Sequence, residues 1–314
     1  MSAIVVGVDG GGTKTRVMVA DENGTVLGDH TGDPSAVRPG EADASADVIA
    51  RTVRDALINA DLGHVRPRAL CAGVAGTGRE DAREGLWRAL VELDVADETV
   101  VHSDAAIALD DAFGDGSGVL LIAGTGSMAL GRGPTGRTAR AGGWGPVIGD
   151  EGSGNWIGRR ALGIVAAAAD KREPDTALTG AILAACEAAD VHGLIGWASA
   201  ATPSDFARLV LVVAETAGTG DLRANALIAL AVEELALHVR SVARELFGDE
   251  RAAISVALAG GLLSHGALVR KRLEHRLKSV VPGGSLHTNE VVAVRGAVKG
   301  ALRMLGVSTH AISR

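Results

Sequence analysis

Apolar and polar positions follow the periods of strands and helices in alternation along the first third of the chain. The apolar run at residues 3–9 has strand length and ends at an aspartate, and strand patterns follow at 15–20 and 25–30. Further strands are predicted at 68–74 and 99–102, and helices at 41–60, 80–93 and 105–113. Three strands followed by alternating helices and strands are typical of an α/β fold.

The same opening recurs in degenerate form from residue 118. An apolar strand at 118–123, a glycine turn and a strand at 128–132 repeat the first hairpin, and a third strand is predicted at 137–140. Asp9–Thr13 aligns with Ala123–Ser127, so the second copy lacks the carboxylate of the first. We interpret this as an internal duplication of one fold unit. The remaining sequence predicts a strand at 253–259 and helices at 153–170, 175–190, 204–217, 222–247, 265–279 and 291–305.

Composition and charge narrow the function classes. The chain has 314 residues, which allows about two domains, and a content of 47% hydrophobic and 22% charged residues excludes intrinsic disorder. Its 38 acidic and 31 basic residues give a net charge of -7 without a polybasic block, and aromatic residues make up 2% with no tyrosine. We therefore expect neither nucleic acid nor an anionic membrane as a main partner.

The N-terminus and the cysteines indicate the compartment. Residues 1–10 lack a basic segment and a cleavage site, and glycines interrupt the longest uncharged stretch at 252–269, so we expect neither a signal peptide nor a membrane span. Cys71 and Cys186 have no metal-ligand spacing around them and are expected to pack as small buried apolar residues. These features predict a soluble cytoplasmic protein.

Two glycine-rich turns are candidate phosphate sites. Gly10–Lys14 and Gly124–Ser127 each lie between two predicted strands, whereas a P-loop or a dinucleotide fingerprint places its glycines between a strand and a helix. A glycine hairpin presents several backbone N–H groups to one concavity because no Cβ blocks the approach of an anion. Two such hairpins facing one another would hold a triphosphate from both sides. Lys14 either contacts phosphate or is an exposed strand residue.

Asp9 ends the first apolar strand directly before a glycine turn. An ionised carboxylate at this place would repel phosphate unless a cation lay between them, and Mg²⁺ held through water is the natural intermediary. The alternative is a turn aspartate that is hydrogen-bonded to its own backbone.

Asp104 follows a predicted strand and opens a helix. Active sites of α/β proteins gather at the carboxyl ends of strands, so Asp104 is a candidate general base, which the helix N-terminus would keep ionised. The alternative is an N-cap supplied by Ser103 or Asp104. Asp110 and Asp111, further along this helix, are expected to be solvated surface charges.

The least ordinary segment, residues 141–154, combines many glycines with one tryptophan and an acid pair. Such a loop is poorly suited to core packing. We expect Asp150 and Glu151 to accept hydrogen bonds from sugar hydroxyls, and Trp144 to shape the binding pocket. The alternative for the two acids is capping of the helix that begins at Ser153. No role is predicted for the isolated histidines His102, His192 and His265.

Together these motifs resemble the BadF/BadG/BcrA/BcrD-type ATPase family, and within it the N-acetylglucosamine kinase branch. The two glycine hairpins are similar to its phosphate motifs, residues 258–262 to its adenosine motif, and residues 142–153 to the sugar-binding segment of amino-sugar kinases. The resemblance covers essentially the whole chain. It implies an α/β, actin-like (ribonuclease H-like) ATPase fold of two lobes with mixed sheets and an interlobe cleft. The N-terminal lobe would comprise 1–113 with the C-terminal helix near 293–307, and the C-terminal lobe 114–292.

The resemblance also implies an activity. It is ATP- and Mg²⁺-dependent phosphorylation of an amino sugar hydroxyl, foremost N-acetylglucosamine to its 6-phosphate, by a homodimer; glucosamine, N-acetylmuramic acid and glucose remain alternative acceptors. A second possibility in this family is an ATP-driven activator of a redox enzyme, whose iron–sulfur cluster needs paired cysteines that Cys71 and Cys186 do not supply. The third is a non-catalytic sugar sensor or scaffold, against which the retained Asp9 and Asp104 argue.

Site residues follow from this resemblance, with Asp104 as the catalytic base and Asp9 as the metal ligand. The residues expected to bind ATP are Gly10, Gly11, Gly12, Thr13, Lys14, Gly124, Thr125, Gly126, Ser127, Gly260 and Gly261. The residues expected to bind the sugar are Ser35, Thr125, Gly126, Gly143, Trp144, Asp150 and Glu151. The family's kinases often carry an asparagine where this chain has Ala36, so Ser35 or Arg38 is the expected replacement. The sequence also lacks the zinc-binding cysteine cluster of the ROK sugar kinases, which argues against that group.

Overall fold

The computed structural model of the protein describes residues 3–249 and 251–307. Its strands are β1 (Ile4–Gly10), β2 (Thr15–Asp21), β3 (Val26–Gly32), β4 (Ala69–Val74), β5 (Glu98–His102), β6 (Gly118–Ala123), β7 (Ser127–Arg132), β8 (Thr138–Gly142), β9 (Ile254–Ala259) and β10 (Gly284–Leu286). Its helices are α1 (Ala42–Asn59), α2 (Glu80–Glu92), α3 (Asp104–Phe113), α4 (Gly154–Ala169), α5 (Leu178–Ala185), α6 (Gly193–Ala200), α7 (Pro203–Gly218), α8 (Leu222–Phe247), α9 (Leu268–Val280) and α10 (Ala293–Met304).

The chain divides into two compact units. The first comprises Met1–Gly116 and Asn289–Arg314, and the second Ser117–Thr288. Each unit contains one five-stranded sheet, with the order β3-β2-β1-β4-β5 in the first and β8-β7-β6-β9-β10 in the second. In both sheets the second strand of the hairpin is antiparallel to its neighbours, while the other pairs are parallel. The duplication that the sequence predicts is therefore confirmed at the level of sheet topology.

Strand β1 shows how the first sheet forms two cores. Val6 and Val8 are fully buried in the core that includes α1 and α2, whereas Val5 points to the opposite core, which includes α3 and α10. This alternation is the period of a strand that is covered on both faces. Gly7 lies on the α10 face, where a Cβ would come within 2.6 Å of the Val298 backbone nitrogen, so its lack of a side chain permits close packing of the helix.

Asp111 anchors helix α10 to the first unit. Its carboxylate accepts hydrogen bonds from the Val292 N–H at 2.8 Å and from Arg295 Nε at 2.6 Å, and Lys299 Nζ lies 3.1 Å away. Burial alone would raise the pKa of Asp111, yet these partners hold it below its usual value. Asp110 is also buried and pairs with α10. The expectation that both aspartates are solvated surface charges is therefore wrong, because their partners lie about 180 residues further along the chain.

The second unit is the more helical one. Helix α8 lies against β6, β7 and β8, and α4 and α7 pack against each other and against α8. Its core contains β6 residues such as Leu121 together with apolar residues of these helices, among them Ile157 and Leu235. The predicted helix at 175–190 is shorter than expected, and the sequence patterns missed α6 and the three-residue strand β10.

Two further features concern the cysteines and the lengths of the helices. Cys71 and Cys186 are both buried free thiols, as predicted. Among residues 3–249 and 251–307, no helix combines the length and the apolar character that a bilayer crossing requires.

Candidate active site

Parallel pairing brings two aspartates to the same edge of the first sheet. Asp9 is in register with Gly73 of β4, and Gly73 is in register with His102 of β5. Asp104 follows His102 by two residues, so both carboxylates belong to the carboxyl ends of parallel strands. Active sites of open α/β sheets form at such edges.

The pKa of Asp9 is raised by its surroundings. Burial, together with repulsion from Asp104, raises the pKa of Asp9 to about 6, while the charges of Lys14 and Arg16 act in the opposite direction. Asp9 is a strand residue paired with Arg16 on β2, so its interpretation as a turn aspartate is wrong. A partly buried carboxylate beside a second one is costly unless a cation compensates the charge.

Oxygen donors of this kind fit Mg²⁺. That ion is commonly held by one or two carboxylates, with water and substrate phosphates completing its coordination. The part of the chain that the structure describes contains no group of three or more histidine, cysteine, aspartate or glutamate side chains able to hold a metal. Asp9 and Asp104 provide two carboxylates at one sheet edge, and this donor set fits such an ion.

Ser103, and not Asp104, caps helix α3. Ser103 Oγ accepts a hydrogen bond from the Ala106 N–H at 3.2 Å, so the Asp104 side chain is not the cap of this helix. Burial raises the pKa of Asp104, although the backbone N–H groups of Asp104 and Ala105 act to lower it. The expected effect of the helix N-terminus is thus present but is outweighed by burial. A raised pKa makes the carboxylate a better proton acceptor.

The first glycine hairpin is tied to the segment that follows β3. Its turn closes with a 2.9 Å hydrogen bond from the Gly11 N–H to the Lys14 carbonyl, and Gly12, Thr13 and Lys14 are exposed. The Gly11 carbonyl accepts hydrogen bonds from the backbone N–H groups of Ser35 and the following alanine, both at 3.2 Å. Exposed amides on an anchored turn are suited to an anion.

Ser35 lies behind this hairpin. It is 2% exposed, and its hydroxyl is 2.7 Å from Thr15 Oγ1. A Cβ on Gly10 would come within 2.5 Å of Ser35 Oγ, so the glycine permits this contact. Ser35 is therefore placed to fix the hairpin, and its predicted sugar contact stays a prediction. Ala36 is half-buried and Arg38 is exposed.

The second glycine hairpin lies next to the Gly260 turn. Strands β6 and β9 are parallel neighbours, and a Cβ on Gly124 would be 3.9 Å from the Gly261 nitrogen. Gly260 has a φ of +94°, and a Cβ there would lie 2.3 Å from the Ala123 carbonyl oxygen, so only glycine fits. Thr125, at the tip of the hairpin, is exposed. The structure thus brings together the predicted second phosphate motif and the predicted adenosine motif.

Asp150 occupies a strained and buried position. Its φ of +59° lies in the left-handed region, which is uncommon for residues other than glycine and concentrates at functional sites. The carboxylate accepts hydrogen bonds from the N–H groups of Ser127 and Gly145, and burial raises its pKa. A Cβ on Gly126 would come within 2.9 Å of Asp150 Oδ2, so this acid lies directly against the second hairpin.

The neighbouring residues confirm that the acid pair does not cap α4. Ser153 Oγ accepts the hydrogen bond from the Trp156 N–H at 3.2 Å and is itself the cap. The Glu151 carbonyl accepts a 2.7 Å hydrogen bond from Ser127 Oγ, while its side chain is 37% exposed. Glu151 also lines a cavity of about 440 Å³ with Arg159 and Arg160. The capping interpretation is therefore wrong, and of the two acids Glu151 has the more exposed side chain.

Trp144 projects from the same loop. It is 63% exposed, and the Arg140 guanidinium carbon lies 4.8 Å from the centre of its ring. Gly143 has a φ of +70°, and Gly149 leaves room for Trp144, since a Cβ there would lie 2.6 Å from the tryptophan Cβ. An exposed aromatic ring held by a cation is suited to cover the apolar face of a ligand.

The sequence patterns gave no role to His238, a residue of α8. The structure places its Nε2 atom 3.8 Å from Glu151 Oε2. A Cβ on Gly142 would come within 2.7 Å of the same nitrogen. A histidine within an apolar helix is usually a core residue, and its acidic neighbour is about 90 residues earlier in the chain, so no local pattern could have identified this contact.

The chain is similar to known proteins over most of its length. The model of the BadF/BadG/BcrA/BcrD ATPase family matches residues 6–302. An N-acetylmuramic acid/N-acetylglucosamine kinase of Clostridium acetobutylicum is 31% identical over 263 residues, covering 83% of this chain and 86% of the relative. An N-acetyl-D-glucosamine kinase of Dictyostelium discoideum is 31% identical over 297 residues, covering 90% and 92%. A solved structure from Chromobacterium violaceum, described as a candidate N-acetylglucosamine kinase, is 29% identical with a TM-score of 0.76, covering 95% and 98%.

Proposed function

Because this chain belongs to the BadF/BadG/BcrA/BcrD ATPase family, we propose that it is an ATP-dependent kinase of an amino sugar hydroxyl, with N-acetylglucosamine phosphorylated at its 6-hydroxyl as the preferred reaction. The observation that carries the proposal is Asp104. It is a partly buried carboxylate with a raised pKa at the carboxyl edge of a parallel sheet, and Ser103 rather than Asp104 caps the helix that follows.

Asp104 acts as the general base. As the sugar oxygen forms its bond to the γ-phosphorus of ATP, the bond from that phosphorus to the bridging oxygen breaks and ADP leaves. The hydroxyl proton passes to the Asp104 carboxylate, whose raised pKa suits it to accept that proton. Phosphoryl transfer depends mainly on positioning and charge neutralisation, so one well-placed base is sufficient on the protein side.

The glycine turns bind the nucleotide. In the first unit the exposed amides of Gly12 and Thr13 and the Lys14 ammonium group are available to phosphate oxygens. In the second unit the Gly124–Ser127 hairpin and the neighbouring Gly260–Gly261 turn provide further backbone donors. Mg²⁺, held by Asp9 directly or through water, would neutralise phosphate charge.

The loop at residues 142–152 binds the sugar. Asp150 is held in its strained conformation by the two N–H donors that its carboxylate accepts, so its orientation is fixed before any ligand arrives. Glu151 and Trp144 are the more exposed members, available for a second hydroxyl and for the sugar ring. Thr125, Gly126, Gly143 and Ser35 complete the proposed sugar-binding set.

The alternative functions have less support. Cys71 and Cys186 are both buried, and burial raises the pKa of Cys71 to about 12, which disfavours the thiolate that an iron–sulfur cluster requires. A non-catalytic sensor would have no use for a destabilising acid pair such as Asp9 and Asp104. We propose that the protein is cytoplasmic and that it functions as a homodimer. Light scattering during size-exclusion chromatography of the purified protein would test the dimer.

An assay of ADP release tests the proposed function. Purified protein with Mg²⁺ and ATP is offered N-acetylglucosamine, glucosamine, N-acetylmuramic acid and glucose in parallel, against a reaction without sugar. We expect N-acetylglucosamine to give the highest kcat/KM, with a product whose phosphorus couples to the C6 protons in NMR. Stimulation by none of the four sugars would overturn the kinase assignment.

A further inference from the structure

One face of helix α8 supports both ends of the 142–152 loop. A Cβ on Gly152 would lie 2.6 Å from the Ala231 carbonyl oxygen and 2.7 Å from Leu235 Cγ, and Gly142 makes the equivalent close approach to His238. Residues 231, 235 and 238 are spaced as one face of a helix. Both ends of the loop are therefore fixed on α8, and His238 is the polar member of that support.

The environment of His238 defines its hydrogen-bonding state. Its side chain is 12% exposed, and its Nδ1 atom is buried without a hydrogen-bond partner. The other nitrogen, Nε2, points towards the Glu151 carboxylate. A proton on Nδ1 would leave a buried N–H unpaired and would turn the Nε2 lone pair towards a negative charge. The neutral tautomer with its proton on Nε2 avoids both costs.

Burial of the ring favours a neutral imidazole, against the opposing effect of three nearby carboxylates. Burial lowers the pKa of His238, although Glu151, Glu234 on the preceding turn of α8, and Asp150 act to raise it. The imidazole is therefore a hydrogen-bond donor at neutral pH and not a permanent cation.

Resting on the sugar-binding function proposed above, we propose that His238 is a positioning residue: its Nε2–H donates to the Glu151 carboxylate and fixes that carboxylate to accept a hydrogen bond from the sugar. The present separation of 3.8 Å exceeds hydrogen-bond length. A small rotation of the half-exposed Glu151 side chain closes it, and active-site hydrogen bonds commonly shorten in the ligand complex. Loss of the donor leaves Glu151 mobile, which weakens sugar binding without affecting ATP.

Two substitutions of His238 separate the loss of its hydrogen-bond donor from the loss of its packing volume. The amide nitrogen of Gln reaches the position of Nε2, whereas that of Asn reaches only the position of Nδ1. We expect His238→Asn to raise the KM for sugar by about 10- to 100-fold, the range for a hydrogen bond to a charged group, with kcat and the KM for ATP within about threefold. His238→Gln should restore most of the affinity. The exposed His275→Asn on α9 is the control and should match the wild type. Equal KM values for the Gln and Asn variants would overturn the proposal.

A double-mutant cycle tests whether His238 acts through Glu151. Glu151→Gln should itself raise the KM for sugar, and adding His238→Asn to it should then change KM by less than about twofold. Multiplication of the two single effects would show that His238 acts independently and would contradict the proposal.

NMR tests the same interaction without turnover. In protein labelled with ¹⁵N-histidine, the His238 signals are identified by their loss in His238→Gln. We expect the Nε2–H tautomer at pH 7.5 and a change in the Nε2 shift in Glu151→Gln. A proton on Nδ1, or a doubly protonated ring, would overturn the proposal. An Nε2–H signal that responds to Glu151 in a protein inactive on every sugar would overturn the kinase assignment while keeping the His238–Glu151 link.

Discussion

Asp9 and Asp104 reach the same edge of one sheet from strands β1 and β5, with β4 between them, and the charge of Asp104 contributes to raising the pKa of Asp9 to about 6. Folding gains nothing from this proximity, because two neighbouring carboxylates repel each other where solvent screens them only in part. Groups kept together against their own repulsion are a sign of function, since selection for stability alone would replace one of them.

The Asp9 carboxylate should therefore destabilise the protein free of metal and nucleotide. We expect Asp9→Asn to increase the free energy of unfolding by roughly 1–3 kcal/mol at pH 8, the range that corresponds to the raised pKa. The folded state keeps the proton on Asp9 up to about pH 6, whereas the unfolded chain loses it near the ordinary aspartate pKa of 3.8. Wild-type stability therefore falls as pH rises through this window, and the advantage of the variant should shrink towards pH 4.

Thermal melting at pH 5 and pH 8 measures this difference. The control is Asp81→Asn, a substitution of an aspartate whose side chain is 78% exposed, which should change the melting temperature little at either pH. A destabilised Asp9→Asn at pH 8 would mean that the carboxylate stabilises the fold.

Substitutions of Asp150 can separate its proposed role in sugar binding from its contribution to stability. Asn tolerates the left-handed region and keeps the shape of the side chain, so Asp150→Asn should fold normally while raising the KM for sugar by about tenfold or more, because the acceptor charge is lost. Asp150→Ala should lower stability as well, by about 1–3 kcal/mol, since it leaves the N–H groups of Ser127 and Gly145 without their acceptor. Sugar kinetics and denaturant unfolding on both variants check this, and an unchanged sugar KM in Asp150→Asn would remove Asp150 from the sugar site.

Asp111 should stabilise the fold and take no part in the candidate active site. Asp111→Ala leaves Arg295 and Lys299 without their shared carboxylate, so we expect a loss of about 3–5 kcal/mol. The matched control is Asp115→Ala, which removes an ion pair to Arg303 on the same helix α10, but with an 83% exposed carboxylate, and should cost less than about 1 kcal/mol. Equal losses in urea unfolding would show that α10 is not anchored through Asp111.

Much of the framework was predictable from the sequence because it depends on local patterns. Strand periodicity placed Asp9 at the end of β1, glycine turns between strands excluded a P-loop, and the motifs implied a family and an α/β fold of two mixed sheets that are confirmed. Ser103 and Asp104 could not be separated as cap and free carboxylate, because both residue types cap helices equally well.

The remaining features depend on contacts between distant segments. The partners of Asp111 come from α10, and the acidic neighbour of His238 comes from a loop that precedes α8, so sequence spacing carries no signal of either. The raised pKa of Asp104 is likewise a property of burial in the folded unit, which outweighs the effect of its helix N-terminus. Short elements such as α6 and β10 were missed because eight and three residues are too few to establish a period.

The most direct test of the account is the turnover of Asp104→Asn with N-acetylglucosamine and saturating Mg²⁺-ATP. Without a base for the hydroxyl proton, kcat should fall by about 10²- to 10⁴-fold, while the affinity for ATP stays within about threefold of the wild type and Asp81→Asn remains fully active. A kcat for Asp104→Asn within about threefold of the wild-type value would contradict the assignment of Asp104 as the catalytic base.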